Sequence, residues 1–276
     1  MPHVAPSAEA AIAVFDSGVG GLTVVSALRR ELPAEDIVYL GDTARVPYGG
    51  KSRETIERYA AEIAHLLVSE GAKMIVVACN TASALAVPRL RDTCPVPVVG
   101  VIDPGVQAAL DTTRSGHVAV IGTKATIGSA AYEHALRSAR ADIRVTSVAC
   151  PLLVPLIEEG LLEDRITEAV LERYLSAVRG TDADTMVLGC THYPLLAPAI
   201  ALAAGPGIRL VDSAANCARS VAAILDRENL RTPRDGEGSL AISFTDPPDR
   251  FLGVAGSVLG LDTGKVSVRH VPPFGQ

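Results

Sequence analysis

Two short stretches of the chain look alike. "MIVVACNTAS" spans 74–83 and "MVLGCTHYPL" spans 186–195; each is an apolar run that ends on a cysteine followed by polar side chains. The pattern puts Cys79 and Cys190 at strand ends, Cys79 just ahead of a helix start. There the helix dipole favours a thiolate, and the thiol is expected to fall from about 8.5 toward ~7 or below. His192, two residues after Cys190, is placed to tune that thiol. One such cysteine is commonly a small apolar side chain, and one histidine can be a satisfied core residue. The duplication argues against both ordinary readings. Two thiols facing each other across a cleft can remove a proton from one face of a carbon and deliver one to the other, which inverts a stereocentre. A thiol can also titrate near working pH, where general acid–base catalysis is most effective.

Other chemistries fit the same residues less well. A zinc site needs deprotonated Cys and neutral His converging on one point, and no CxxC or HxxxH spacing supports it. A papain-like Cys/His nucleophile would leave one of the matched cysteines without a role. No lysine stands in a strand-end motif, which disfavours a pyridoxal phosphate racemase. A non-catalytic amino-acid-binding protein would not need the thiols.

Further motifs lie at other strand ends. "FDSGVGGLTV" (15–24) reads as strand, glycine turn and helix start. It departs from the dinucleotide fingerprint, because Thr23 stands where the last glycine belongs. Its plain reading is a tight turn with Asp16 as a cap. Its functional reading sets Asp16 and Ser17 at the carboxyl edge of a sheet, where open α/β sheets bind ligands. "LGDTARVPYGGKS" (40–52) gives a second strand end, with either an ordinary turn or a rigid loop that presents the Tyr48 hydroxyl and flanking amides to a cleft. In "ACPLLVPLIEEG" (149–160), Cys150 reads as packing, and Glu158 and Glu159 end an apolar helix as solvated carboxylates. Cys94 and Cys217 fall on helical patterns and read as core.

Elements that could position these residues run almost from end to end. Near-continuous apolar runs at 11–16, 36–42, 73–79, 97–103, 117–123, 143–150, 185–190 and 208–213 read as parallel strands buried on both faces. Helical patterns alternate with them. The clearest is 52–70, with Ser52 as cap, Glu54 in the first turn and Gly71 as stop; 163–179 is similar. Pro88 is expected to kink or shorten the helix after Cys79. After a polar loop at 227–238, the pattern predicts a short helix near 249–259 and a last strand, "KVSVRHV". The fold class expected is α/β, with two similar domains of parallel-rich sheets flanked by helices and a cleft between them.

Composition narrows the partners. The 276 residues carry a formal net charge of −6, no Trp and 4% aromatics, a poor match for nucleic acid. No apolar run approaches the ~18 residues of a membrane span, and the N-terminus does not read as a signal peptide. Five widely spaced cysteines without a CxxC pair suit a reducing cytoplasm. The expected location is cytoplasmic, with neither membrane nor nucleic acid as a partner.

Taken together, "FDSGVGGLTV", "YLGDTARVPYGGKS", "VACNTASAL", "CPLLVPLIEEG" and "LGCTHYPLL" resemble, in order and over nearly the whole chain, the motifs of the glutamate racemases. The resemblance implies a two-domain enzyme that needs no cofactor or metal and interconverts L- and D-glutamate for bacterial peptidoglycan. It implies that Cys79 acts on D-glutamate with Asp16 as helper, and that Cys190 acts on L-glutamate with His192 and Glu158. Asp16, Ser17, Pro47, Tyr48, Gly49, Asn80, Thr81, Thr123, Thr191 and His192 would hold the substrate. It also implies a discontinuous first domain, 1–98 with 210–276, around a second at 99–209. The 227–276 region matches these motifs least. Glutamate is the expected small-molecule partner and a homodimer the expected assembly. The nearest rival is a related cofactor-independent racemase acting on aspartate or a hydantoin.

Overall fold

The computed structural model describes residues 6–247 and 266–273. Its first sheet takes β1 (Ile12–Asp16), β2 (Ile37–Gly41), β3 (Met74–Val77) and β4 (Val98–Gly100). Its second takes β5 (His117–Gly122), β6 (Arg144–Ala149), β7 (Thr185–Gly189) and β8 (Arg209–Val211). The chain returns to the first sheet with β9 (Leu240–Phe244) and β10 (Ser267–Val268). Among the described residues every strand pairing is parallel. The orders are β10-β9-β2-β1-β3-β4 and β6-β5-β7-β8. Counting within each half, β2-β1-β3-β4 and β6-β5-β7-β8 follow one order, second-first-third-fourth. Each sheet therefore reverses direction beside its first strand, and an α/β sheet binds ligands outside the strand ends at such a point.

The helices cover both sheets: α1 (Leu22–Glu31), α2 (Arg53–Ser69), α3 (Asn80–Thr93), α4 (Ile102–Thr112), α5 (Lys124–Gly128), α6 (Ala131–Ala139), α7 (Leu153–Glu158), α8 (Arg165–Leu175), α9 (Ala197–Ala204) and α10 (Ser213–Arg227). Ser52 caps α2 through its hydroxyl, which accepts from the Thr55 N–H, and Asp164 caps α8 in the same way. α10 follows β8 and packs against both α1 and α4, so one helix joins the two halves.

Three expectations need correction. Pro88 does not shorten α3, which continues to Thr93. The strands expected at 97–103 and 208–213 stop at Gly100 and Val211, because the next helices start sooner. Asp212 caps α10, its carboxylate accepting from the Ala214 N–H at 2.9 Å, which ends the extended run. β6 is an edge strand with exposed or half-buried side chains, not one buried on both faces. The helix expected near 249–259 lies outside the described residues.

At the amino ends of β2 and β3, Lys73 and Glu35 form a buried ion pair, Nζ to Oε2 at 2.5 Å, with side chains 0% and 1% exposed. Lys73 Nζ also donates to the Ala8 carbonyl at 2.6 Å, and Glu35 Oε1 accepts from the Thr232 N–H at 2.8 Å. The pair thus ties the N-terminal segment to the loop before β9. Removing one partner strands a buried charge, which costs about 3–5 kcal/mol. Glu35→Ala is expected to lose that much in urea unfolding, and Glu35→Leu with Lys73→Met to be clearly less damaging. A double variant as unstable as Glu35→Ala would contradict the ion-pair account.

Candidate active site

The carboxyl ends of both sheets open on one cleft of about 350 Å³. Cys79 follows β3 and caps α3, its sulfur accepting from the Ala82 N–H at 3.5 Å. Cys190 follows β7, the matching third strand of the other sheet. Of the residues singled out as catalytic or substrate-binding, all except Asp16 line this cleft. Asp16 ends β1, is 1% exposed, and accepts from the Gly21 N–H at 2.6 Å. The structural reading of Asp16 as a turn clamp therefore holds. It also reaches the thiol indirectly: Cys79 Sγ donates to Ser17 Oγ at 3.5 Å, and Ser17 Oγ donates to Asp16 Oδ1 at 3.4 Å.

The electrostatics of Cys79 run against the expectation from its helix. Burial, and next the negative charge of Asp16, push the thiol up to about 12. The Ala82 and Ser17 hydrogen bonds work the other way but are outweighed. A thiol dehydrated at the floor of a cleft loses more by ionising than the dipole returns.

Cys190 has a different neighbourhood. Its sulfur lies 3.8 Å from His192 Nδ1, and His192 Nε2 lies 3.2 Å from Glu158 Oε1. Burial alone would lower His192. The hydrogen bonds to the Cys190 sulfur and the Glu158 carboxylate overcome it and raise the imidazole to about 10. An imidazolium held in place by a carboxylate is the partner that a thiolate on Cys190 requires. Glu158 is accordingly not merely a solvated carboxylate at a helix end. Cys150 and Cys217 are fully buried, as expected of packing residues; Cys94 caps the end of α3 and is half-buried.

The two halves meet closely around these groups. A Cβ on Gly20 would sit 2.5 Å from His192 Nδ1 and 2.7 Å from Thr191 Oγ1, so the glycine turn admits the second cysteine loop only because it lacks a side chain. A Cβ on Gly49 would likewise fall 2.8 Å from Thr123 Cβ. Thr81 from the first half bonds Thr123 and Thr126 from the second, at 2.9 and 3.1 Å, and Thr123 bonds Thr126 at 3.0 Å. This hydroxyl cluster bridges the cleft.

Tyr48 corrects an expectation. Its hydroxyl is turned away from the cleft and donates to Asp42 Oδ2. Asp42, 0% exposed, also accepts from Arg45 Nε at 2.7 Å and from the Thr245 hydroxyl at 2.9 Å. Arg45 in turn reaches Glu62 Oε2 at 2.5 Å and stacks 4.2 Å from the Tyr59 ring centroid. Thr245 brings the C-terminal region into the wall of the site, although its sequence carries the least motif resemblance. Lys124, Thr126 and Tyr132 had no strand-end signal. Lys124 and Thr126 sit on α5 and Tyr132 on α6, and only the packing defines how these two helices lie against α3.

Known proteins share the sequence and fold of this chain. Residues 19–221 match the Asp/Glu/hydantoin racemase family. The chain is 49% identical over 256 residues to a glutamate racemase of Geobacter metallireducens, covering 93% of this chain and 95% of that protein. A Francisella tularensis glutamate racemase solved in complex with D-glutamate superposes with a TM-score of 0.90 at 35% identity, covering 97% of this chain and 100% of that one. The Thermus thermophilus enzyme solved with β-chloro-D-alanine gives 0.84 at 43% identity, covering 96% and 98%. The paired strand-end cysteines thus lie within a shared sequence and fold, and the chain belongs to the Asp/Glu/hydantoin racemase family, among its glutamate racemases, as an amino-acid isomerase.

Proposed function

We propose that this chain interconverts L- and D-glutamate by a two-thiol mechanism without cofactor, supplying D-glutamate for peptidoglycan. The observation that carries the reading is the placement of Cys79 and Cys190 after equivalent strands of two like-ordered sheets, on one cleft. In the L-to-D direction the Cys190 thiolate, paired with the His192 imidazolium, takes the Cα proton. Cys79, kept protonated by burial and Asp16, delivers its proton to the opposite face. The pair ends as Cys190 thiol and Cys79 thiolate, which is the starting state for D-glutamate. In that state the Ser17 hydroxyl turns from Asp16 to the Cys79 sulfur and joins the Ala82 N–H already donating to it, and the substrate ammonium offsets the Asp16 charge. Ser17, Thr81, Thr123, Thr191, Asn80 and the Pro47–Gly49 loop hold the amino and carboxylate groups. Glutamate is favoured over aspartate or a hydantoin by the relatives named above.

Two α/β domains, 1–98 with 210–276 and 99–209, belong to the same reading, as do a homodimer and a cytoplasmic location. Among the described residues no helix is long and apolar enough to cross a membrane.

Cys79→Ala and Cys190→Ala are each expected to abolish racemisation of either enantiomer, followed by optical rotation. In D₂O, product formed early should carry deuterium at Cα while recovered substrate carries little. Rapid labelling of unreacted substrate by the wild-type chain would point to one base serving both faces.

Activity should survive exhaustive dialysis against EDTA and removal of pyridoxal phosphate, since the thiols supply both acid and base. Loss on chelation with recovery on adding zinc would favour a metal mechanism.

The Cys79 thiol should also be unreactive before substrate binds. Iodoacetamide at pH 7, read by peptide mass spectrometry, is expected to modify Cys79 at least about tenfold more slowly than a free cysteine peptide, because the thiolate is the nucleophile and burial with the Asp16 charge opposes it. Modification of Cys79 as fast as the free peptide would overturn its assignment as the resting thiol.

A further inference from the structure

Asn80, the first residue of α3, is 2% exposed and lines the cleft next to Cys79. Its side-chain oxygen accepts from the Tyr132 hydroxyl at 2.6 Å. Its side-chain nitrogen is buried and has no hydrogen-bond partner among the described residues. A buried amide donor left unpaired costs about 1–3 kcal/mol, so it marks a place where a ligand acceptor belongs.

Tyr132 comes from the other half of the molecule, on α6, and is itself 2% exposed. Its ring and hydroxyl fit where two glycines leave room. A Cβ on Gly105 would lie 3.1 Å from the hydroxyl, and one on Gly189 would lie 3.3 Å from the ring. Gly189 immediately precedes Cys190. Ser213, at the start of α10, lies beside the same phenol, next to Gly105. Tyr132 therefore touches the residue after one catalytic cysteine and the residue before the other.

An amide side chain can face a cleft with either end, and the two ends suit opposite ligands. A phenol that donates to the oxygen leaves the NH₂ for the ligand. At the amino end of a helix, that donor and the helix dipole both favour a negative group.

We propose that Tyr132 is a positioning residue: by donating to Asn80 across the junction of the two halves, it turns the amide donor toward the cleft and so builds a carboxylate subsite beside Cys79. The inference rests on the racemase reading. It adds that the subsite exists only while α3 and α6 are docked, which couples substrate binding to the approach of the two thiols. Because the subsite binds carboxylate alike in ground and transition states, its loss should appear in KM and leave kcat nearly unchanged.

The test uses the full-length chain and whichever of glutamate or aspartate the wild-type protein racemises. Wild-type turnover of glutamate judges the functional reading by itself, and the variants judge Tyr132. Tyr132→Phe is expected to raise KM about tenfold, the loss of one oriented hydrogen bond to a charged group, with kcat within about threefold. In an Asn80→Ala background the same Tyr132→Phe change should raise KM no further, because no amide remains to orient. A merely structural role would act in both backgrounds. Asn80→Asp keeps the acceptor for Tyr132 but sets a carboxylate against the substrate's own, so it should raise KM more than Asn80→Ala does. That comparison holds even if Tyr132→Phe fails to fold. A KM for Tyr132→Phe within twofold of wild type, an additive effect in the double variant, or Asn80→Asp milder than Asn80→Ala would each overturn the proposal.

Discussion

The contact on which the site depends is the approach of the glycine turn after β1 to the loop after β7, where a Cβ on Gly20 would come within 2.5 Å of the His192 imidazole. A side chain there would push His192 away from both Cys190 and Glu158. The turn is itself clamped, because Asp16 accepts from the Gly21 N–H and the Tyr39 hydroxyl donates to the Gly18 carbonyl at 2.8 Å. One short segment of the first half therefore fixes the charge partner of the second half's cysteine, and the same segment supplies Ser17 to the first half's own cysteine.

The two cysteines are alike in position and unlike in charge environment. Both end the third strand of a parallel sheet with the same order. Cys79 is surrounded by burial and a carboxylate, which oppose ionisation. Cys190 faces an imidazole that its own sulfur and then Glu158 raise against burial. Under the proposed two-thiol mechanism, inversion needs one acid and one base at any moment, and this asymmetry would set the starting state. After one turnover the charge would sit on the Cys79 side, where burial and Asp16 oppose it and the ammonium of D-glutamate would compensate it.

The cleft wall is supported from outside the strand ends. The Asp42, Arg45 and Glu62 network holds the Tyr48 hydroxyl away from the ligand space and attaches the 46–50 loop to Thr245. On the far side, α10 packs on α1 and α4 and presents Ser213 to Tyr132. Residues distant in sequence thus set the shape of a cleft whose chemistry lies in a few short motifs.

The sequence by itself determined the element types, the α/β class and the identities of the strand-end residues. Burial on both faces demands continuous apolar runs, and a parallel strand must end where polar side chains begin. Cys79 and Ser17 from one sheet and Cys190 and His192 from the other line one cleft, because strand ends of a parallel sheet share an edge and the two edges face each other. The sequence misjudged the Cys79 thiol, since local helix geometry is written in neighbouring residues whereas dehydration and the Asp16 charge depend on how the halves close. The same limit explains Tyr48, whose hydroxyl direction follows from an Asp42 that Thr245 and Arg45 hold in place. Tyr132 and Thr126 lay on helices with no motif of their own, and only the docking of α5 and α6 brings them to Asn80 and Thr81. Motifs fix which atoms reach a sheet edge. Tertiary packing decides which way they point and what charge they carry, because orientation and solvation belong to contacts between segments far apart in the chain.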